Sequence, residues 1–521
     1  MLRNQLNIID ILLLSYTAIT GFYFCLTSKN EFNFFEITQW SAFFLCYCIA
    51  RKISQKQWCL WGIVLLGIIE ATIAICQKAH WIDSFHSTFN MTGTFTNPGP
   101  LGGFLAIAMT IIFGFYLEYQ EHSWTKLLLL FIIVLLLAII ILTDSRASWL
   151  AALFGTGYLI FLKKKEHGNS LSNISKVGII IFVLLFSAFA YYYKKNSANG
   201  RLLIWRVSSE MLADAPLMGK GIGNFKKEYM HYQARYFKSH PHSSYATLAD
   251  NTTYPYNEFL LIGVEQGMVG LIFILCIIVS ALKYASYQNY HKIYPSSFIT
   301  LLIFSLFSYP SNVVLLWLLV PLLLGGIQCK KSRSISTSYK FQLVEWFVYI
   351  CFLTQFFWGS YRYYELKNNV KKLYSLSPQE SKKAKIYLEK SRTELQSTPR
   401  LLDVYAQYYY QNFPPSVSLS VLKQATSIIP SSELYCHLGD SYKKLNQMDE
   451  AVVCYTLASE MVPNRIQPKY KLFCLYRDRK DTIQMKKAAF EALHIKVKVM
   501  NTKTLRMRGE IKSSLKLTDI N

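Results

Sequence analysis

Thr125-Lys-Leu-Leu-Leu-Leu-Phe-Ile-Ile-Val-Leu-Leu-Leu-Ala-Ile-Ile-Ile-Leu142 runs without a break into Thr143-Asp-Ser-Arg-Ala-Ser-Trp149. At about 1.5 Å rise per residue, the apolar part is long enough as a helix to cross bilayer hydrocarbon. In lipid every backbone polar group must be satisfied within the segment, which a helix does. Ten more runs of this kind are read at 8–27, 33–50, 57–76, 99–118, 147–162, 177–193, 263–282, 293–308, 311–328 and 341–359. Only 17% of the 521 residues are charged, against about 25% in an ordinary soluble domain. Charges become frequent after Tyr361. The expected fold is all-α: a polytopic membrane domain of about eleven spans over 1–360, then a soluble helical domain over 361–521.

The net charge of +24 is partly topological. With the N-terminus inside, the short loops 51–56, 163–176 and 329–340 are cytoplasmic and rich in Lys and Arg. The opposite short loops carry only a few basic residues, such as Lys29, Lys78 and Arg146. This is the positive-inside asymmetry. It puts the long polar segment 194–258, and everything after 360, on the outside. The first apolar run has no convincing cleavage site, so it is read as a span and not as a removed signal. The other part of the charge lies in the outer segment, at Lys194, Lys195, Arg201, Arg206, Lys220, Lys226, Lys227, Arg235 and Lys238. Such a face suits an anionic lipid or phosphate substrate; nucleic acid is not expected. Used as a solvated face, the lysines alone would have no such role. The 11 cysteines are scattered, with no metal-ligand spacing, so no metal is expected. Cys436, Cys454 and Cys474 are expected as buried thiols.

Residues 432–465 fit a tetratricopeptide repeat, with Tyr435, Leu438, Gly439, Tyr442, Ala451, Tyr455, Ala458 and Pro463 in register. Small residues there let two antiparallel helices approach, and the proline ends the second. Tyr405, Ala406, Tyr409, Leu422, Ala425 and Pro430 repeat the register about 33 residues earlier; Tyr470 to Leu493 repeats it more weakly. Helices near 379–395 and 500–513 are expected to cap the array. A stack of this kind presents a surface for a protein partner, or serves as a spacer.

Four constellations fall on the outer face. Gly93-Thr-Phe-Thr-Asn-Pro98 opens a helix, and a helix start suits phosphate. Arg146 stands at the membrane boundary in a very short loop, where pairing with Asp144 is the plain alternative to a site role. Arg201 and Trp205 precede Pro216-Leu-Met-Gly-Lys-Gly221. The chain returns to the membrane at Tyr256-Asn-Glu-Phe-Leu260 and Glu265-Gln-Gly267, with carboxylates unusually close to lipid.

In this order, over roughly 60–330, these elements resemble the O-antigen ligase family, which includes lipopolysaccharide ligases, O-antigen polymerases and bacterial O-linked oligosaccharyltransferases. Ser145-Arg146 resembles its Ser-Arg element, and Asn257-Glu-Phe-Leu260 its closing signature. The resemblance implies transfer of a glycan from undecaprenyl diphosphate to an acceptor hydroxyl on lipid, glycan or protein. It further implies the periplasmic face of a bacterial inner membrane, and no cofactor. Arg146 and Arg201 would then stabilise the diphosphate. Asn97, Trp205, Asn257, His240 and His242 would bind substrate. The family carries a histidine where this chain has Tyr256, and tyrosine, with a pKa of about 10, is a poor general base at neutral pH. Glu258, His240 or His242 would have to take that role, or the base is Tyr256 itself. Two other classes compete: a transporter or lipid flippase, disfavoured because few charges lie at mid-span and the ionisable residues collect on one face, and a non-catalytic scaffold for envelope enzymes.

Overall fold

The computed structural model describes residues 8–27, 34–53, 55–86, 88–119, 123–168, 172–285, 289–327, 339–375, 378–396, 398–498 and 500–515. Their regular structure is all helical, with no strand among the described residues. The first seven helices are α1 (Ile8–Thr27), α2 (Phe34–Lys52), α3 (Gln57–Lys78), α4 (Pro98–Glu118), α5 (Ser123–Leu142), α6 (Arg146–Glu166) and α7 (Asn173–Tyr193). The polar segment folds as α8 (Lys195–Asp214) and α9 (Asn224–Ser239). The chain then returns through α10 (Glu258–Lys283), α11 (Ile293–Ser305), α12 (Val314–Gly326) and α13 (Tyr339–Lys372).

Each expected span overlaps one of these helices over its described residues. Four of them, within α3, α4, α5 and α10, are long and apolar enough by themselves to cross a membrane. Helices α11 and α12 differ from expectation. Each is only 13 residues long, and the chain between them breaks at Tyr309-Pro310. Proline lacks an N–H and clashes with the preceding turn, so it favours such a break.

Helix α4 is the centre of the bundle. It is apolar all round, and its residues from Pro100 to Ile112 are buried. It packs on α3, α5, α6 and α11. Thr110 and Thr300 hydrogen-bond at 2.9 Å beside Gly155, where a larger side chain would strike Thr300. Helix α5 is equally apolar but turns Leu127, Leu128 and Phe131 outward, as a lipid-facing helix would. At the end of the bundle opposite Arg146, the fully buried Lys292 pairs with Glu118 at 2.6 Å and with Glu166.

The remaining helices are α14 (Pro378–Lys390), α15 (Arg392–Gln396), α16 (Pro399–Asn412), α17 (Pro415–Ile428), α18 (Ser432–Lys444), α19 (Met448–Met461), α20 (Ile466–Asp478), α21 (Thr482–His494) and α22 (Thr502–Ser514). Helices α16 with α17, α18 with α19 and α20 with α21 pack as hairpins. The small residues lie at the contacts: Ala451 and Ala458 are fully buried, and a Cβ on Gly439 would lie 2.5 Å from the Tyr455 ring. Cys436 and Cys454 are buried free thiols. Helix α13 runs unbroken through the expected boundary at 360. Its last turns supply Leu366 and Val370 to the same apolar cluster as Leu402, Tyr405 and Leu422. The C-terminal helices do not stand apart, because α19 and α17 pack directly on α9.

Candidate active site

The segment 92–97 is built by two polar residues of α3. Gln77 accepts from the Thr92 and Gly93 N–H groups through Oε1, at 2.8 Å each, and donates to the Gly93 carbonyl at 2.9 Å. Glu70 accepts from the Thr94 N–H at 2.8 Å and from its hydroxyl. Gly93 has φ +61°, and any side chain there would strike Glu70, so both the backbone and the space require glycine. Asn97 then caps α4, accepting from Gly99 N at 2.9 Å, with Pro98 in the first turn. The same device starts α10, where the Asn257 side chain accepts from Leu260 N at 3.0 Å.

The motifs Pro216–Gly221 and Glu265–Gly267 form one interlock. Helix α10 breaks at Gly267 (φ 67°, ψ −161°), a conformation open essentially to glycine alone. The opened turn hydrogen-bonds the incoming loop on both sides: Lys220 N to Val264 O at 2.7 Å, and Met268 N to Pro216 O at 2.8 Å. A Cβ on Gly219 would lie 2.5 Å from the Gln266 nitrogen. These glycines therefore fasten the polar segment to the bundle and do not themselves form the site.

Between the starts of α4, α6 and α8 lies a cavity of about 460 Å³. Asn97, Arg146, Arg201 and Tyr256 line it together, with Lys78, Lys194, Asp144 and Tyr309. The helix starts direct their positive ends inward, where an anion is favoured. The Arg146–Asp144 ion pair, the plain alternative to a site role, is not what forms. Asp144 pairs with Lys194, and Arg146 Nη1 donates to the Ala190 carbonyl at 2.6 Å. Arg201 pairs with no carboxylate among the described residues. Its guanidinium carbon stands 5.3 Å from the centre of the Tyr256 ring. Burial first, and then the nearby Arg146 charge, pull the Arg201 guanidinium below its ordinary value. Burial likewise pushes the Tyr256 phenol well above its usual range. Asp144 and Tyr256 have φ of +54° and +55°. Two non-glycine residues in the left-handed region lining the same cavity mark stored strain of about 1–3 kcal/mol each, a common feature of functional sites.

The other anticipated residues lie outside the cavity lining. Trp205 donates to the Pro255 carbonyl at 2.9 Å, holding the chain just before Tyr256. Glu258 accepts from the Ser311 N–H at 2.9 Å and from its hydroxyl at 2.8 Å. His240 is exposed and stacks on Tyr236 with ring centres 4.7 Å apart; His242 is exposed as well. Sequence reasoning treated Lys78 and Lys194 only as charges and passed over Glu70 and Gln77. Polar side chains inside an apolar run were the available signal for the latter two. A second hollow, on the outer face of α5 by Trp124, Leu127 and Phe131, is almost wholly apolar and carries no chemistry.

Residues 131–275, from α5 through α10, match the sequence model of the family described as O-Antigen ligase. Over this stretch the chain is similar to the O-antigen ligase family. A Rickettsia conorii protein provisionally named a polysaccharide ligase is 29% identical over 196 residues, covering 34% of this chain and 44% of its own length. A Rickettsia felis protein provisionally named likewise is 23% identical over 338 residues, covering 53% of this chain and 78% of its own. The first match thus spans less than half of that relative. The O-antigen ligase region contributes Arg146, Arg201 and Tyr256 to the cavity, while Lys78 and Asn97 come from before it. The apolar helices and the family match together point to a membrane protein.

Proposed function

We propose that this protein is an O-antigen ligase family member that transfers a glycan from an undecaprenyl-diphosphate carrier to an acceptor hydroxyl on lipid A core, glycan or protein. The reaction takes place on the periplasmic face of the bacterial inner membrane. One observation carries the reading: two arginines 55 positions apart share one cavity, and Arg201 is not neutralised by any described carboxylate. The cavity holds four cationic side chains, Lys78, Arg146, Lys194 and Arg201, against the single carboxylate of Asp144. A diphosphate answers that imbalance. The acceptor oxygen attacks the anomeric carbon, the bond from that carbon to the diphosphate oxygen breaks, and the lipid diphosphate leaves. Arg146 and Arg201 stabilise the charge that develops on the leaving oxygens, most strongly where water is excluded. The Tyr256 ring covers one side of Arg201; its raised phenol is not a neutral-pH base. The acceptor proton goes to another group or to water.

The spans alternate so that 194–258 and the C-terminal helices lie outside, and α16–α21 are read as tetratricopeptide repeats. Reporter fusions at Gly168 and Ser243 should report opposite faces. The catalytic test is a deletion strain complemented with Arg201→Ala. Surface glycan on a gel should fall by about 100-fold or more, with lipid-linked glycan accumulating. Normal surface glycan, with the variant protein present in ordinary amount, would overturn the reading.

A further inference from the structure

Residues 249–257 form no helix or strand. Their backbone groups need partners from elsewhere, and the strained Tyr256 stands one residue before their end. A left-handed tyrosine persists only where its surroundings over-determine it. At one end the constraint comes from α8 and the start of α10, through Trp205 on Pro255 O and the Asn257 cap.

At the other end the constraint comes from the C-terminal helices. Asn464, buried after α19, donates to the carbonyls of Ala249 at 2.7 Å and Ala246 at 3.0 Å. Arg465 and Lys498 grip the two oxygens of Asp250 at 3.0 and 2.8 Å. The Ser432 N–H donates to Asn251 Oδ1 at 3.2 Å. The fully buried Gln233 of α9 bridges both sides, donating to Asp250 O at 3.1 Å and Met461 O at 2.6 Å. Met461 and Val462 complete the apolar cluster of Phe225, Tyr229 and Phe237. Buried polar groups satisfied across a contact fix one geometry, since shifting it leaves them unpaired. Arg400, at the start of α16, stands close enough for its charge to bear on Tyr254 and Tyr309, which stack at 4.1 Å beside Tyr256.

We propose that the C-terminal helices are a positioning part of the transfer site: Asn464, Arg465 and Lys498 hold residues 249–251, and through them present Tyr256 to Arg201. The inference rests on the reading of the Arg146–Arg201 cavity as the transfer site. These are positioning residues; none of them lines the cavity.

The test uses full-length protein in membrane vesicles that carry the strain's own lipid-linked glycan. Limited proteolysis of the C-terminal helices reports docking, and the melting temperature in detergent reports folding. Asn464→Ala and Lys498→Glu should expose those helices to protease and lower kcat about tenfold, with KM for the donor within about twofold. Lys498→Arg should restore the rate. If Asn464→Ala fails to accumulate, Lys498→Glu, at a half-exposed position, carries the test alone. Undocked helices with a wild-type rate would overturn the proposal. A wild-type rate in the Arg201→Ala protein would overturn the reading of the cavity itself. A wild-type rate in the undocked variants beside an inactive Arg201→Ala would overturn only the positioning role.

Discussion

The Arg201 guanidinium and the Tyr256 ring face one another at 5.3 Å, although 54 residues of chain separate them. Tyr256 holds its place with φ +55°, and its phenol is pushed well above the ordinary range by burial. The ring is therefore present as a wall for the arginine and not as a proton acceptor. Tyr256→Phe should keep glycan transfer within about threefold of wild type, while Tyr256→Ala should lose about tenfold or more. A Phe variant as inactive as the Ala variant would show that the hydroxyl itself is needed.

The interlock at Gly267 should be the least tolerant position outside the cavity. A side chain there meets the Leu217 backbone, in a conformation that L-residues rarely adopt. Gly267→Ala should destabilise by at least about 2–3 kcal/mol. The reduced melting temperature in detergent and the reduced amount in the membrane would report it. Gly157, where an added Cβ would meet nothing within 4 Å, supplies the matched control, and Gly157→Ala should be neutral or mildly stabilising.

Gln77 satisfies three backbone groups of the Thr92–Gly93 turn and is itself buried. Gln77→Leu fills a similar volume but leaves those groups without partners, at about 1–3 kcal/mol each when buried. The expected outcome is a loss of about 3 kcal/mol or more and displacement of Asn97 from the cavity. Gln77→Glu, which keeps the acceptor oxygen, should fall between Leu and wild type in thermal melting.

His231 of α9 faces the C-terminal helices, its ring edge-on to Tyr435 of α18 at 5.9 Å. Burial alone holds its pKa below the ordinary value of about 6.5. The undocked state therefore binds the proton more readily. Docking should be fully stable above about pH 6.5 and weaken as pH falls through the depressed docked value. Limited proteolysis at pH 8, 6.5 and 5 would show cleavage rising as pH falls, and His231→Phe should flatten that rise. Equal cleavage of the wild-type protein at all three pH values would exclude this role for His231.

Much of the architecture was legible in the chain because it depends on properties local to a run of residues. Eighteen residues from Thr125 to Leu142 with a single charge have few alternatives to a helix in an apolar setting. Asn97-Pro98 and Asn257-Glu258 start helices because a short amide caps the free N–H groups beside it. Gly439, Ala451 and Ala458 mark helix contacts through size alone. What the sequence could not show was which distant groups share a space. Only the tertiary structure decided that Asp144 takes Lys194 and leaves Arg146 to the cavity, and that Glu258 turns to Ser311. It likewise decided that Asn464 reaches Ala249 across 215 positions. Such pairings depend on how helices fastened by Gly267 and Gln233 pack together, and packing geometry is a property of the whole fold, not of any one segment.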